Sequence, residues 1–149
     1  MEISESKQFR EKVRVLERGL NLLHRNSNRC FQALTLPQWY AMIEIGRKEK
    51  VVLKELTQVL VLDTSTTSRI VEGLVKKNYV ERNISQEDRR SICITLTNEG
   101  KELFHEIDQC LNQKYATVYN DIPEDEKVNV LHALDVMLNS VRSKIESIV

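Results

Sequence analysis

Apolar residues recur near the start of the chain at Phe9, Val13, Leu16, Leu20 and Leu23, in alternating steps of four and three. That spacing lays one narrow stripe along a helix, with charges on the rest of its surface. The polar cluster Asn26, Ser27 and Asn28 is expected to end it. At the far end, Leu131, Leu134, Leu138, Val141, Ile145 and Ile148 keep the same alternation. A strict seven-residue period is the seam of helices that pack against partner helices. The two stripes either close the monomer's own core or join two chains. Their position at opposite ends of the chain favours a homodimer, with a two-fold pair as the default.

The middle of the chain has shorter periods. Thr35, Leu36, Pro37 and Gln38 form a helix start, with a reciprocal Thr35–Gln38 cap and a proline suited to the first turn. That helix runs through Trp39, Met42 and Ile43, and Gly46 is its expected stop. GRKEK then reads as a polar connection. Leu53, Leu56, Val59 and Leu60 mark a short helix, and Leu62 and Asp63 a tight turn with Asp63 as the next N-cap. On the following helix Thr67, Ile70, Val71 and Leu74 face one way, and Ser65, Ser68, Arg69, Glu72 and Lys76 the other. Asn78 stands where a left-handed residue closes the helix. Tyr79–Asn83 and Ser91–Leu96 read as a two-stranded hairpin with a polar tip. Thr97 caps a long helix carrying Leu103, Phe104, Ile107, Leu111, Tyr115 and Val118, and Pro123 with three acids opens the last one. The predicted class is mainly α with a small β-hairpin wing.

Net charge is zero over 149 residues, but it averages unlike segments: +2 over residues 1–46, +3 over 47–92 and −5 over 93–149. The positive excess lies where the hairpin and its preceding helices lie, and local field governs docking on phosphate. The charged N-terminal residues lack the apolar run of a signal peptide, and the longest apolar run, Val59–Leu62, is too short to span a bilayer. A cytoplasmic protein with no membrane partner is expected. Cys30, Cys93 and Cys110 form no CxxC and no scaffold spacing, so free thiols are expected.

Two helices joined by a tight turn, followed by a hairpin, form the winged helix-turn-helix pattern. In it the second helix meets base edges in the major groove. Thr64, Ser65, Thr66 and Ser68 are short enough to allow close approach, and Arg69 can bridge a guanine edge or a phosphate. Read alone, these residues serve equally as capping groups and a solvated charge; the adjoining hairpin shifts the balance towards DNA. At its tip stand Asp88, Arg89 and Arg90. An arginine there can enter a narrow minor groove, and Asp88 can hold its guanidinium in a fixed fork, although the triplet in isolation reads more readily as an ordinary charged turn.

LKELTQVL, DTSTTSRIVEGLVKKNYVER, the EDRR of the wing and ITLTNEGKEL resemble, in that order and spacing, the MarR (multiple antibiotic resistance regulator) family of winged-helix regulators. The resemblance implies one domain over 1–149, with dimerisation helices at about 5–28 and 98–148 and a winged domain at about 35–97. It implies a homodimeric, sequence-specific transcriptional repressor that binds double-stranded DNA at a pseudo-palindrome. Carried over by position, Ser65, Thr66, Ser68 and Arg69 lie on the recognition helix, Arg90 is the minor-groove arginine and Asp88 its partner. Thr64, Lys76 and Arg89 complete the candidate DNA-binding set. Val61 and Asn78 depart from the family pattern, each standing where glycine is usual.

Family resemblance also implies release from DNA by a small aromatic or anionic compound, or by cysteine oxidation. His24, Trp39, Tyr40 and Tyr115 are the candidate effector-pocket residues, although Trp39 and Tyr115 read more readily as ordinary core. Cys30, near Arg25 and Arg29, is the redox candidate. His24, Cys30 and His105 lack metal-ligand spacing, so neither a metal nor a cofactor is expected. An enzyme is not expected: there is no phosphate loop, nucleophile–base pair or paired carboxylates. The alternative is a helical adaptor that uses the winged domain to bind protein. Salt dependence separates the two, because phosphate contacts release counterions.

Overall fold

The helix starts in the middle of the chain are fixed by the side chains that cap them. The computed structural model describes residues 4–25 and 32–148. Its elements are α1 (Glu5–Arg25), α2 (Leu36–Lys48), β1 (Lys50–Val52), α3 (Leu53–Leu60), α4 (Thr64–Lys76), β2 (Val80–Ile84), β3 (Ile92–Leu96), α5 (Asn98–Asp121) and α6 (Lys127–Glu146). The Thr35–Gln38 capping box opens α2, Asp63 caps α4, and the Thr97 hydroxyl accepts from the Gly100 amide at the head of α5. Each cap satisfies amides that a helix start leaves unpaired.

The chain divides into two compact units, residues 1–110 and 111–149. In the first, α2, α3 and α4 pack with a three-stranded antiparallel sheet of order β1-β3-β2. Met42, Ile45, Leu56, Val71, Leu74 and Ile94 are fully buried there, with Thr67 and Ile107 beside them. Burying each large aliphatic side chain contributes about 1.5–3 kcal/mol. This is a winged helix-turn-helix, and the core fixes α4 by its inner face.

Three details differ from the sequence expectation. The connection after α2 contains a third strand: Lys50, Val51 and Val52 pair with Thr95, Ile94 and Cys93. Val51 is buried, which a polar connection would not require. Gly46 does not stop α2, which continues to Lys48 before Glu49 turns at φ 61°. Instead, Gly46 gives room to the Phe104 ring, which a Cβ would strike. The first hairpin strand is shifted by one residue to Val80–Ile84, and the second starts one residue later, at Ile92, and ends at Leu96 as expected.

The turn between α3 and α4 is strained. Val61 adopts φ 54°, ψ 45°, a left-handed conformation that costs a side-chain-bearing residue about 1–2 kcal/mol. Its amide donates to the Gln58 carbonyl and the Leu62 amide to Thr57, so the α3 terminus stays satisfied. Asn78, at φ 62°, takes the same conformation after α4, as its short polar side chain allows.

In the second unit, the 3-10 turn Glu124–Glu126 follows Pro123 and leads into α6. Lys127 pairs with Glu124 at 2.6 Å and lies 4.9 Å from the Tyr119 ring centroid. None of the residues of α6 is buried: Leu131, Leu134, Leu138, Val141 and Ile145 are all exposed. Among the described residues no helix is long and apolar enough to cross a membrane.

Candidate nucleic-acid interface

α4 presents its polar face outward because Thr67, Val71 and Leu74 hold its other face in the core. The five hydroxyls near its start are not equivalent. Asp63 spends both carboxylate oxygens on Thr66, accepting from its amide at 2.7 Å and its hydroxyl at 2.6 Å. Thr67 is fully buried and donates to the Asp63 carbonyl at 3.0 Å. Ser68 accepts from Arg82. Thr64 and Ser65 are exposed, and their hydroxyls make no hydrogen bond among the described residues. The sequence named Thr66 and Ser68 as DNA-contact candidates with these two, but could not show that their hydroxyls are engaged.

The Thr66 hydroxyl, followed by the Thr66 amide, holds the Asp63 carboxyl below its ordinary value of 3.8; Arg69 adds to this. A carboxyl lowered in the folded state stabilises above its unfolded value and loses that contribution as pH falls through the folded one. Protection of the Thr66 amide against hydrogen exchange is therefore expected to fall on acidification below about pH 4. Asp63→Asn, which cannot ionise, should flatten that dependence. Equal pH dependence in both proteins would rule out the ionised cap.

Arg69 is exposed, with its Nε 3.5 Å from the Ser65 carbonyl, and Lys76 pairs with Glu72 at 3.4 Å. At the hairpin tip, Arg89 and Arg90 are exposed. Asp88 positions Arg90, but not through a guanidinium fork. Its Oδ1 accepts from the Arg90 backbone amide at 3.0 Å, and its Oδ2 from the Ser91 hydroxyl at 3.3 Å. A two-residue reach suits closing a local turn on the backbone amide. The tip backbone is thereby shaped, and the guanidinium carries no ion pair among the described residues.

Of the effector-pocket candidates, His24 and Trp39 come together with ring centroids 5.7 Å apart, and Trp39 is buried. Tyr40 is half exposed and stacks edge-on against Trp39. It lines a shallow depression of about 290 Å³ with Ile43, Glu44, Val59 and Leu60. Tyr115 belongs to the second unit and is exposed. Cys30 lies outside the described residues; Cys93 is buried on β3 and Cys110 half-buried. No group of three or more metal-ligating side chains gathers among the described residues.

A sequence model described as MarR family matches residues 34–91. The HTH-type transcriptional regulator SarZ of Staphylococcus haemolyticus is 30% identical over 107 residues, which cover 72% of this chain and 71% of the relative. Streptococcus pneumoniae FabT, crystallised in complex with DNA, superposes with a TM-score of 0.85 at 16% identity, covering 93% of this chain and 99% of its own. A MarR protein from Peptoclostridium difficile superposes with a TM-score of 0.80 at 23% identity, covering 100% and 96%.

Proposed function

This chain belongs to the MarR family of DNA-binding transcriptional regulators and is not an enzyme, and from that premise we propose that it is a homodimeric repressor of a pseudo-palindromic operator. The observation that carries the reading is the juxtaposition of the outward hydroxyl face of α4 with a preformed, doubly basic hairpin tip. Thr64 and Ser65 reach base edges, Arg69 a guanine edge or phosphate, and Arg89 and Arg90 the adjacent minor groove. Thr66 and Ser68 act mainly by shaping the helix, and Lys76 adds charge at its far end.

The exposed apolar positions of α1 and α6 supply the two-fold contact. Phe9 and Leu16 on α1 and Leu131 and Leu138 on α6 are each about half exposed in the single chain. Dimerisation helices at about 5–28 and 98–148 thus flank a winged domain at about 35–97, in a cytoplasmic protein. Release from DNA follows oxidation of Cys30, or binding of a small aromatic or anionic compound near His24, Trp39 and Tyr40.

Selection of duplexes from a random library by the purified protein tests the whole reading. Two half-sites about 10 base pairs apart are expected. Ser65→Ala should change the enriched bases while retaining most of the affinity, and peroxide should weaken wild type but not Cys30→Ser. If selection enriches no sequence, the regulator reading fails; if peroxide acts on both proteins alike, only the Cys30 sensor fails.

A further inference from the structure

Arg82 was not among the sequence candidates, yet it is the cation standing between the recognition helix and the wing. It lies on β2, on the same side of the strand as buried Val80, because alternate residues share a strand face. Its Nη2 donates to the Ser68 carbonyl at 2.6 Å and approaches the Ser68 hydroxyl at 3.3 Å. Both acceptors are neutral. No carboxylate among the described residues pairs with Arg82, and its Nε and Nη1 make no hydrogen bond there. One edge of the guanidinium is therefore anchored to the helix, while its charge and remaining donors are unspent.

We propose that Arg82 is a seat for a DNA backbone phosphate. The inference rests on the DNA-binding reading above. With α4 in a major groove and the hairpin tip in the neighbouring minor groove, the strand separating those grooves crosses the cleft between α4 and β2. Arg82 spans from β2 to α4 at that place. A planar fork with several donors suits phosphate oxygens, and anchoring Nη2 to Ser68 leaves less freedom to lose on binding. The same anchor draws the group back to the helix surface, at the level of a phosphate and short of the groove floor. The phosphate contact is thus indifferent to sequence, unlike that of Ser65.

Arg82→Gln tests this by fluorescence anisotropy, on a duplex recovered by selection and on its scrambled counterpart, across a KCl titration. The slope of log affinity against log salt should become shallower by about 0.9 for each half-site. Affinity should fall by about tenfold on both duplexes, with their ratio unchanged. An unchanged slope with a lowered melting temperature would make Arg82 a structural brace only, and a collapsed ratio would make it a base reader; either overturns the proposal. Should Arg82→Gln fail to fold, ethylation interference on wild type decides. A phosphate between the helix and wing footprints must interfere, and none doing so overturns the seat. Wild type that binds neither duplex defeats the DNA-binding reading itself, an outcome distinct from all of these.

Discussion

Arg90→Ala is expected to lower affinity for the selected duplex by about ten- to a hundredfold while leaving the protein folded, a loss of about 1–3 kcal/mol. The two effects separate because of how the tip is built. Ser85 is buried, its amide donates to the Ser91 carbonyl at 2.9 Å, and the Ser91 amide donates to Asp88 at the same distance. Asp88 then closes the turn on the Arg90 amide. All of these bonds involve the backbone at Arg90 or residues on either side of it. Truncating the side chain removes none of them, so stability should stay within about 0.5 kcal/mol of wild type. What disappears is a flexible cation able to enter a narrow minor groove, where the negative potential is strongest. Anisotropy at physiological salt and a thermal melt measure the two quantities side by side. Wild-type affinity in the variant would take Arg90 out of the interface.

Gly100→Ala should have the largest effect on stability, about 3 kcal/mol, or roughly a 10 °C fall in melting temperature. A Cβ at Gly100 would collide with the Tyr79 backbone carbonyl oxygen. That carbonyl already accepts from the Thr97 amide at 3.0 Å, and the Thr97 hydroxyl donates to the Asn78 carbonyl at 2.7 Å. The Asn78 side-chain amide also bonds Glu99. Neither side of the collision can yield cheaply, because both are backbone held by hydrogen bonds. The strain would fall on the joint between α4, β2 and α5. Thermal denaturation of the two proteins gives the answer, and a change below about 0.5 kcal/mol would show that the joint relaxes freely.

How much of this was legible in the sequence depended on the range of the interaction involved. The Thr35–Gln38 box, the Asp63 cap, the left-handed Asn78 and the Thr97 cap all act within a few residues, and the sequence displays them directly. The inward set Thr67, Val71 and Leu74 was readable from helical spacing alone. β1 was missed because three residues carry too little alternation to register, and its pairing with β3 reaches across more than forty positions. Gly46 was misread because a helix-ending glycine and one yielding room to a ring look alike in one dimension. At the candidate interface, the residue types were apparent but their engagement was not. Arg82 and Ser68 lie 14 positions apart and belong to different elements, so no periodicity links them.

The way α4 is held gives it the mechanics of a lever. Its trailing end is tied down: Lys77 donates to the Ala33 carbonyl at 2.9 Å and to Gln38 Oε1 at 2.7 Å, and Asn78 is fastened to the head of α5. The leading end, carrying Thr64 and Ser65, projects about 18 Å away, at 1.5 Å per residue. A tilt of only about 5° about the tied end, carrying Thr67 and the core around it along, would sweep Ser65 through about 1.5 Å, enough to take a hydroxyl out of hydrogen-bonding range of a partner. Small displacements of the residues around Ala33, Gln38 or Glu99 would thereby be magnified at Thr64 and Ser65, the residues proposed to read bases.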